Sequence, residues 1–192
     1  VTKTADTVLV LRTCAADMTS YEGFRWPESG PVEAKDWNAK PECGHGLHGL
    51  LWGEGDGGLL AFARDARWLV VEVPAGSTID LAGKVKFPRG VVVHRGDRKS
   101  ATDYLRERAP GRAIVGGTAT AGDGGTATAG YRGTATAGDG GILNLRWWGG
   151  KRYRIATFYV GEDGIEPNTP YRCDQNGKPV KVDKPAQEGS HG

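Results

Sequence analysis

Three octapeptides in register constrain the fold of this chain more than any other feature. Gly117-Thr118-Ala119-Thr120-Ala121-Gly122-Asp123-Gly124 is followed by Gly125-Thr126-Ala127-Thr128-Ala129-Gly130-Tyr131-Arg132, and then by Gly133-Thr134-Ala135-Thr136-Ala137-Gly138-Asp139-Gly140. Self-similarity at a short fixed period marks stacked architectures. Thr-Ala-Thr is a two-sided strand, with both threonines on one face and alanine on the other. Alanine suits a thin interior, and the glycine pairs at the junctions permit sharp corners. Collagen needs glycine at every third position, which the octads lack. A disordered linker would not hold threonine and alanine in strict phase. The octads end Asp-Gly, Tyr-Arg, Asp-Gly, which predicts a true period of sixteen and two octads per coil of a flattened β-solenoid. Thr118 is then expected above Thr134 and Thr120 above Thr136, about 4.8 Å apart, with Thr126 and Thr128 on the opposite side.

Around the repeat, the sequence reads as β-rich α+β. Glycine makes up 31 of 192 residues, against a usual share of about 7%, which disfavours a helix-rich domain. Strands are expected over 7–12, 67–73, 77–81 and 90–95, where β-branched and apolar residues cluster. The one convincing helix runs from Ser100, as its cap, to Ala109, stopped by Pro110-Gly111. The stretch 13–58 reads as irregular, pinned by Trp26, Trp37 and Trp52. Two hairpins are expected at the end. The first turns at Gly149-Gly150 between 143–148 and 153–159, and the second turns at Asn176-Gly177. The expected organisation is a β-rich domain over 1–112, the solenoid segment over 113–148, closing hairpins over 149–183 and a flexible tail over 184–192.

Charge excludes some functions. With 25 basic and 23 acidic residues the net charge is +2, so neither a strongly basic nucleic-acid binder nor an acidic tail is the default. No apolar run approaches the ~18 residues of a membrane span. Cys14, Cys43 and Cys173 are odd in number and widely spaced, which reads as free thiols and a cytoplasmic setting.

Two resemblances add to this reading. Ala129-Gly130-Tyr131-Arg132-Gly133-Thr134-Ala135-Thr136 resembles the octads of the bacterial ice nucleation proteins, which run much like Ala-Gly-Tyr-Gly-Ser-Thr-Gln-Thr and pair into sixteen-residue coils. The resemblance covers only the octads, and it implies threonine rows that order water. The chain also resembles an uncharacterised bacterial and phage family. That likeness rests on Gly46-Leu47-His48, the octads, and Asp163-Gly164-Ile165-Glu166-Pro167-Asn168-Thr169-Pro170-Tyr171. It departs from that family in having Gly49-Leu50 where a cysteine follows the histidine. The resemblance implies a small β-rich domain with a solenoid insert and no established activity.

Several chemistries compete at Cys43-Gly44-His45-Gly46-Leu47-His48-Gly49. Cys43, His45 and His48 are candidate zinc ligands, with Cys14 or Cys173 as a fourth, although the spacing matches no standard knuckle. Gly44, Gly46 and Gly49 fit a dinucleotide fingerprint only if a strand precedes and a helix follows. Cys43 and His48 could pair as nucleophile and base, with Glu54 or Asp56 as orienting acid. The bland reading has the glycines turning the chain and the histidines satisfying backbone groups. Asp123 and Asp139 offer too few oxygens for calcium. Arg146, Lys151, Arg152 and Arg154 beside Trp147, Trp148 and Tyr153 could hold single-stranded nucleic acid, but a solvated hairpin face is favoured and nucleic acid is not expected. The reading is a non-enzymatic structural or interaction module with no catalytic residue and no required cofactor. Its threonine face comprises Thr118, Thr120, Thr126, Thr128, Thr134 and Thr136. An unknown protein partner, or a homodimer through the solenoid edge or Tyr131, is expected. Water ordering and a Cys43/His45/His48 metal or small-molecule site are the alternatives.

Overall fold

The computed structural model describes residues 6–183; the expected tail at 184–192 lies outside the described residues. The chain divides into two compact units, Val1–Gly117 and Thr118–Gly192. It is β-rich, with open sheets, no closed barrel and a single α-helix among the described residues.

The strands of the first unit are β1 (Thr7–Cys14), β2 (Gly30–Glu33), β3 (Leu47–Leu51), β4 (Arg67–Pro74), β5 (Ile79–Asp80), β6 (Val85–Phe87) and β7 (Arg89–Gly96). They form one antiparallel sheet in the order β2-β7-β4-β1-β3-β6-β5. The central strands are apolar on both faces. On one side Val10, Leu69, Val71, Val73 and Phe87 pack with Trp26 and Met18. On the other, α1 (Arg98–Arg108) buries Ala101, Thr102 and Leu105 against β4 and β7. Strands covered on both faces read as continuous apolar runs, as 68–71 does.

Three expectations for this unit are corrected. The stretch 13–58 contains β2 and β3. Gly49 sits inside β3 because it must: a Cβ there would lie 2.4 Å from Val10 Cγ1 and 2.7 Å from the Leu11 carbonyl oxygen. The helix is capped by Asp97 rather than Ser100, whose own N–H donates to the Asp97 carboxylate at 2.8 Å. The strand placed at 77–81 shrinks to β5, and β6 follows it.

The second unit contains β8 (Thr118–Thr120), β9 (Thr126–Ala129), β10 (Thr134–Thr136), β11 (Ile142–Trp148), β12 (Tyr153–Tyr159), β13 (Tyr171–Cys173) and β14 (Pro179–Lys181). They form two sheets, β14-β13-β10-β8 and β12-β11-β9. The β11–β12 hairpin pairs Trp148 with Tyr153, so its loop holds four residues, not two. Gly149 N–H donates to the Arg152 carbonyl at 3.0 Å, and Gly150 takes φ +85.

Candidate functional site

The octads stack at the interval expected. β10 lies parallel to β8 with Thr134 opposite Thr118, Ala135 opposite Ala119 and Thr136 opposite Thr120. β11 lies parallel to β9, with Ile142 opposite Thr126 and Asn144 opposite Thr128. Both pairings join residues sixteen apart, one in each sheet. Ala127, Ala129, Ala135 and Ala137 are buried, whereas the threonines of these strands are exposed or half-buried. Leu143 and Leu145 are also buried, and they sit where the next alanines of the pattern would fall.

The corners explain why the period is eight. Gly116, Gly124, Arg132 and Gly140 all take left-handed φ, at +72, +63, +56 and +61. Each is followed by a residue whose N–H donates back across the turn, Gly125 to Gly122 and Gly141 to Gly138 among them. Positive φ at the third position of a four-residue turn is the type II geometry, which favours glycine; Arg132 meets it at a cost of order 1 kcal/mol. Asp123 is absorbed by the same architecture. Its carboxylate accepts the Asp139 N–H at 3.0 Å, linking one coil to the next at the corner. Asn144 continues the outer row, donating to Thr128 Oγ1 at 3.4 Å and accepting from Thr157 Oγ1 at 2.8 Å.

Tyr131 is half-buried and packs edge-on to Tyr153 of its own chain at 5.3 Å. Trp148 meets the same ring at 4.9 Å, and the Arg146 guanidinium lies 4.8 Å from its centroid. Trp147 covers Gly177, where a Cβ would come within 2.4 Å of the indole. These aromatic and basic side chains thus pack on one another within the hairpins.

The Cys43–His48 run is a turn feeding β3. Gly44, His45 and Gly46 take φ of +94, +51 and +146, and Gly46 lies against the Trp37 ring. Because the run enters a strand and opens no helix, it lacks the context of a dinucleotide fingerprint. Cys43 Sγ accepts from Lys84 Nζ at 2.9 Å, which holds its thiol below the usual range; burial raises Cys14, and raises Cys173 to about 11. His45 Nδ1 sits 3.4 Å from the Asp36 carboxylate in solvent. His48 Nε2 is buried without a hydrogen-bond partner. Among the described residues no three His, Cys, Asp or Glu side chains gather to hold a metal. Glu54 is occupied by Arg112 at 2.9 Å and the Ala113 N–H at 2.8 Å; Asp56 accepts the Gly58 N–H at 2.9 Å. Sequence reasoning missed Lys86, which is opposite His48 in the β3–β6 pairing and fully buried. Its ammonium donates to the Gly44 carbonyl at 3.5 Å and lies 5.6 Å from the Trp37 ring centroid. A buried lysine held by one carbonyl and one ring carries no signal in local sequence.

His48 gives this region a pH dependence. Burial, then Lys84, Arg12 and Lys86, push its pKa down to about 4 from an unfolded value near 6.5. Between those values the unfolded chain binds the extra proton, so this contribution to stability is complete above about pH 6.5 and is lost as pH falls toward 4. His48→Gln is expected to flatten the decline in urea midpoint over that window. A decline as steep as in the parent would contradict this.

Architecture and stacking define a two-unit β-rich protein, one unit a sheet with a single helix and the other built from parallel rungs at sixteen-residue intervals. The chain belongs to the family described as a domain of unknown function (DUF7666), whose model matches residues 8–107, from β1 to the end of α1. It is also similar to curated ice nucleation proteins. Identity is 48% over 107 residues with one from Pseudomonas syringae, covering 55% of this chain and 9% of that protein. It is 45% over 105 residues with one from Xanthomonas campestris pv. translucens, covering 54% and 7%. It is 44% over 102 residues with ice nucleation protein InaU of Pantoea ananas, covering 52% and 10%. The chain therefore spans about a tenth or less of the length of these relatives. No solved structure matches it.

Proposed function

We propose that the second unit is a short β-solenoid closed at one end, and that the chain is a non-enzymatic structural module built on it. The observation carrying this reading is the parallel pairing of residues sixteen apart in both sheets. Antiparallel strands cover the later rungs: β13 pairs with β10, and β12 with β11. The outer edges of β8 and β9 pair with no strand among the described residues, and open parallel edges of this kind accept further rungs.

The test is to insert tandem copies of residues 125–140 after Gly140. The β-sheet circular dichroism signal is expected to rise by an equal increment per copy, with the inserts resistant to protease. Inserts that are cleaved and add no signal would overturn the reading.

Similarity to ice nucleation proteins favours a second reading, in which the outward threonines order water. Here the row is two rungs deep on one side, Thr118 with Thr134 and Thr120 with Thr136. On the other side it passes to Ile142 and Asn144 after one rung. An array of that size offers little area, so the activity is expected to appear only as copies are added. Droplet freezing temperature that climbs with copy number supports this second reading. Freezing that equals buffer at every length ends it and leaves the scaffold.

A further inference from the structure

We infer that β12 is the seat of a two-fold interface between two copies of this chain, with Tyr153–Tyr159 pairing antiparallel to itself about Ala156. β12 is the outer strand of its sheet. Two bonds fix which of its backbone groups are already used: Val160 N–H to Gly141 C=O at 2.9 Å, and Gly149 N–H to Arg152 C=O at 3.0 Å. In an antiparallel ladder bonded pairs alternate, so Arg154, Ala156 and Phe158 bond to β11. The N–H and C=O groups of Ile155 and Thr157 and the N–H of Tyr159 face away from it, whereas the Tyr159 carbonyl accepts the Glu162 N–H at 3.1 Å.

Exposed edges are normally blunted by shortness, proline or charge. Among the described residues the other sheet edges follow that rule. β5 has two residues, β8 three and β9 four; β2 contains Pro31; β14 contains Pro179 and Lys181. β12 has seven residues, Tyr-Arg-Ile-Ala-Thr-Phe-Tyr, with no proline, lysine or acid. Its Ile155 is 64% exposed and Tyr159 50%, and Trp148 on the same face of the neighbouring strand is 43% exposed. A seven-residue edge without proline, whose one charge is Arg154, is a pairing template.

The occupant follows from the sequence of the strand. Centred on Ala156, antiparallel self-pairing puts Tyr153 opposite Tyr159, Ile155 opposite Thr157, and Arg154 opposite Phe158. Aromatic pairs and β-branched pairs are favourable cross-strand neighbours, and an arginine against an aromatic ring is attractive. The two Arg154 side chains fall about 13 Å apart along the strand, beyond the Debye length. This centre also matches the alternation above, because every outward-facing residue meets another. Two three-stranded sheets would then join into one of six strands.

The test is sedimentation of the full chain across a wide concentration range, with amide hydrogen exchange at its two ends. The mass is expected to rise from 20.4 kDa toward twice that value, with exchange slowed at Ile155, Thr157 and Tyr159 as concentration increases. Ile155→Pro removes an edge N–H that β11 does not use. The double variant Ile155→Lys with Thr157→Lys sets like charges opposite each other across the two-fold. Each is expected to weaken association at least about tenfold, with tryptophan fluorescence of the folded chain retained. Should the proline variant not fold, the lysine pair decides. A single-chain mass at all concentrations overturns the proposal, and so does a dimer undiminished by the lysine pair.

Discussion

Replacing Ala135 by aspartate is expected to unfold the second unit, at a cost of about 3–5 kcal/mol. Ala135 is fully buried, flanked by Ala119 in the parallel pairing and by Tyr171 in the antiparallel one. Its methyl points into an apolar core shared with Leu143, Leu145 and Tyr171, so a carboxylate there would lose its water among groups that cannot pair with it. The same change at Thr120, which is exposed on the neighbouring rung, is expected to cost no more than about 0.5 kcal/mol. Thermal unfolding followed by circular dichroism distinguishes the two. If Ala135→Asp melts like Thr120→Asp, alanine does not point inward and the stacked arrangement is wrong.

In the first unit the largest loss is expected from Trp68→Ala. The Trp68 side chain is buried beneath Phe62, which it meets edge-on at 5.4 Å, and Gly116 lies against its ring. Removing it would empty a volume that the sheet and helix cannot collapse to fill, at about 3–5 kcal/mol. The midpoint of thermal unfolding is expected to fall by more than about 10 °C. Trp148→Ala is the comparison: with that ring 43% exposed, a drop of equal size would mean that burial does not set the difference.

The repeat was legible because two periodicities coincide in it. Side chains alternate every two residues, and a turn residue recurs every eight, so Thr-Ala-Thr and Asp-Gly report face and corner together. The next rung escaped notice because Leu143 and Leu145 stand in place of alanine and Ile142 and Asn144 in place of threonine; it reads only as half of a hairpin. β2 was hidden by Pro31, and β3 by Gly49, whose reason for being glycine is the neighbouring strand and not local propensity. The helix was placed, but its cap was assigned to Ser100 because Asp97 lies three residues further out. At Cys43, His45 and His48 the residue types suggested metal chemistry, whereas each side chain has a separate environment. Lys84, which holds the Cys43 thiol low, and Lys86, which adds to the burial that lowers His48, are some forty residues away in sequence.

The left-handed corner at every eighth residue has a consequence for how such chains change length. Corners of one kind stack: Asp139 over Asp123, sixteen residues apart. Loss or gain of a single octad keeps the alternation of threonine and alanine but moves every later segment to the opposite wall, bringing a Tyr-Arg corner against an Asp-Gly one. The Asp123 carboxylate would then face the backbone N–H of a tyrosine in place of that of an aspartate, and like corners would no longer lie over one another. Slippage during replication can add or delete octads singly, and each corner keeps its left-handed torsion when it does, but like corners stay in register only where octads are gained or lost in twos.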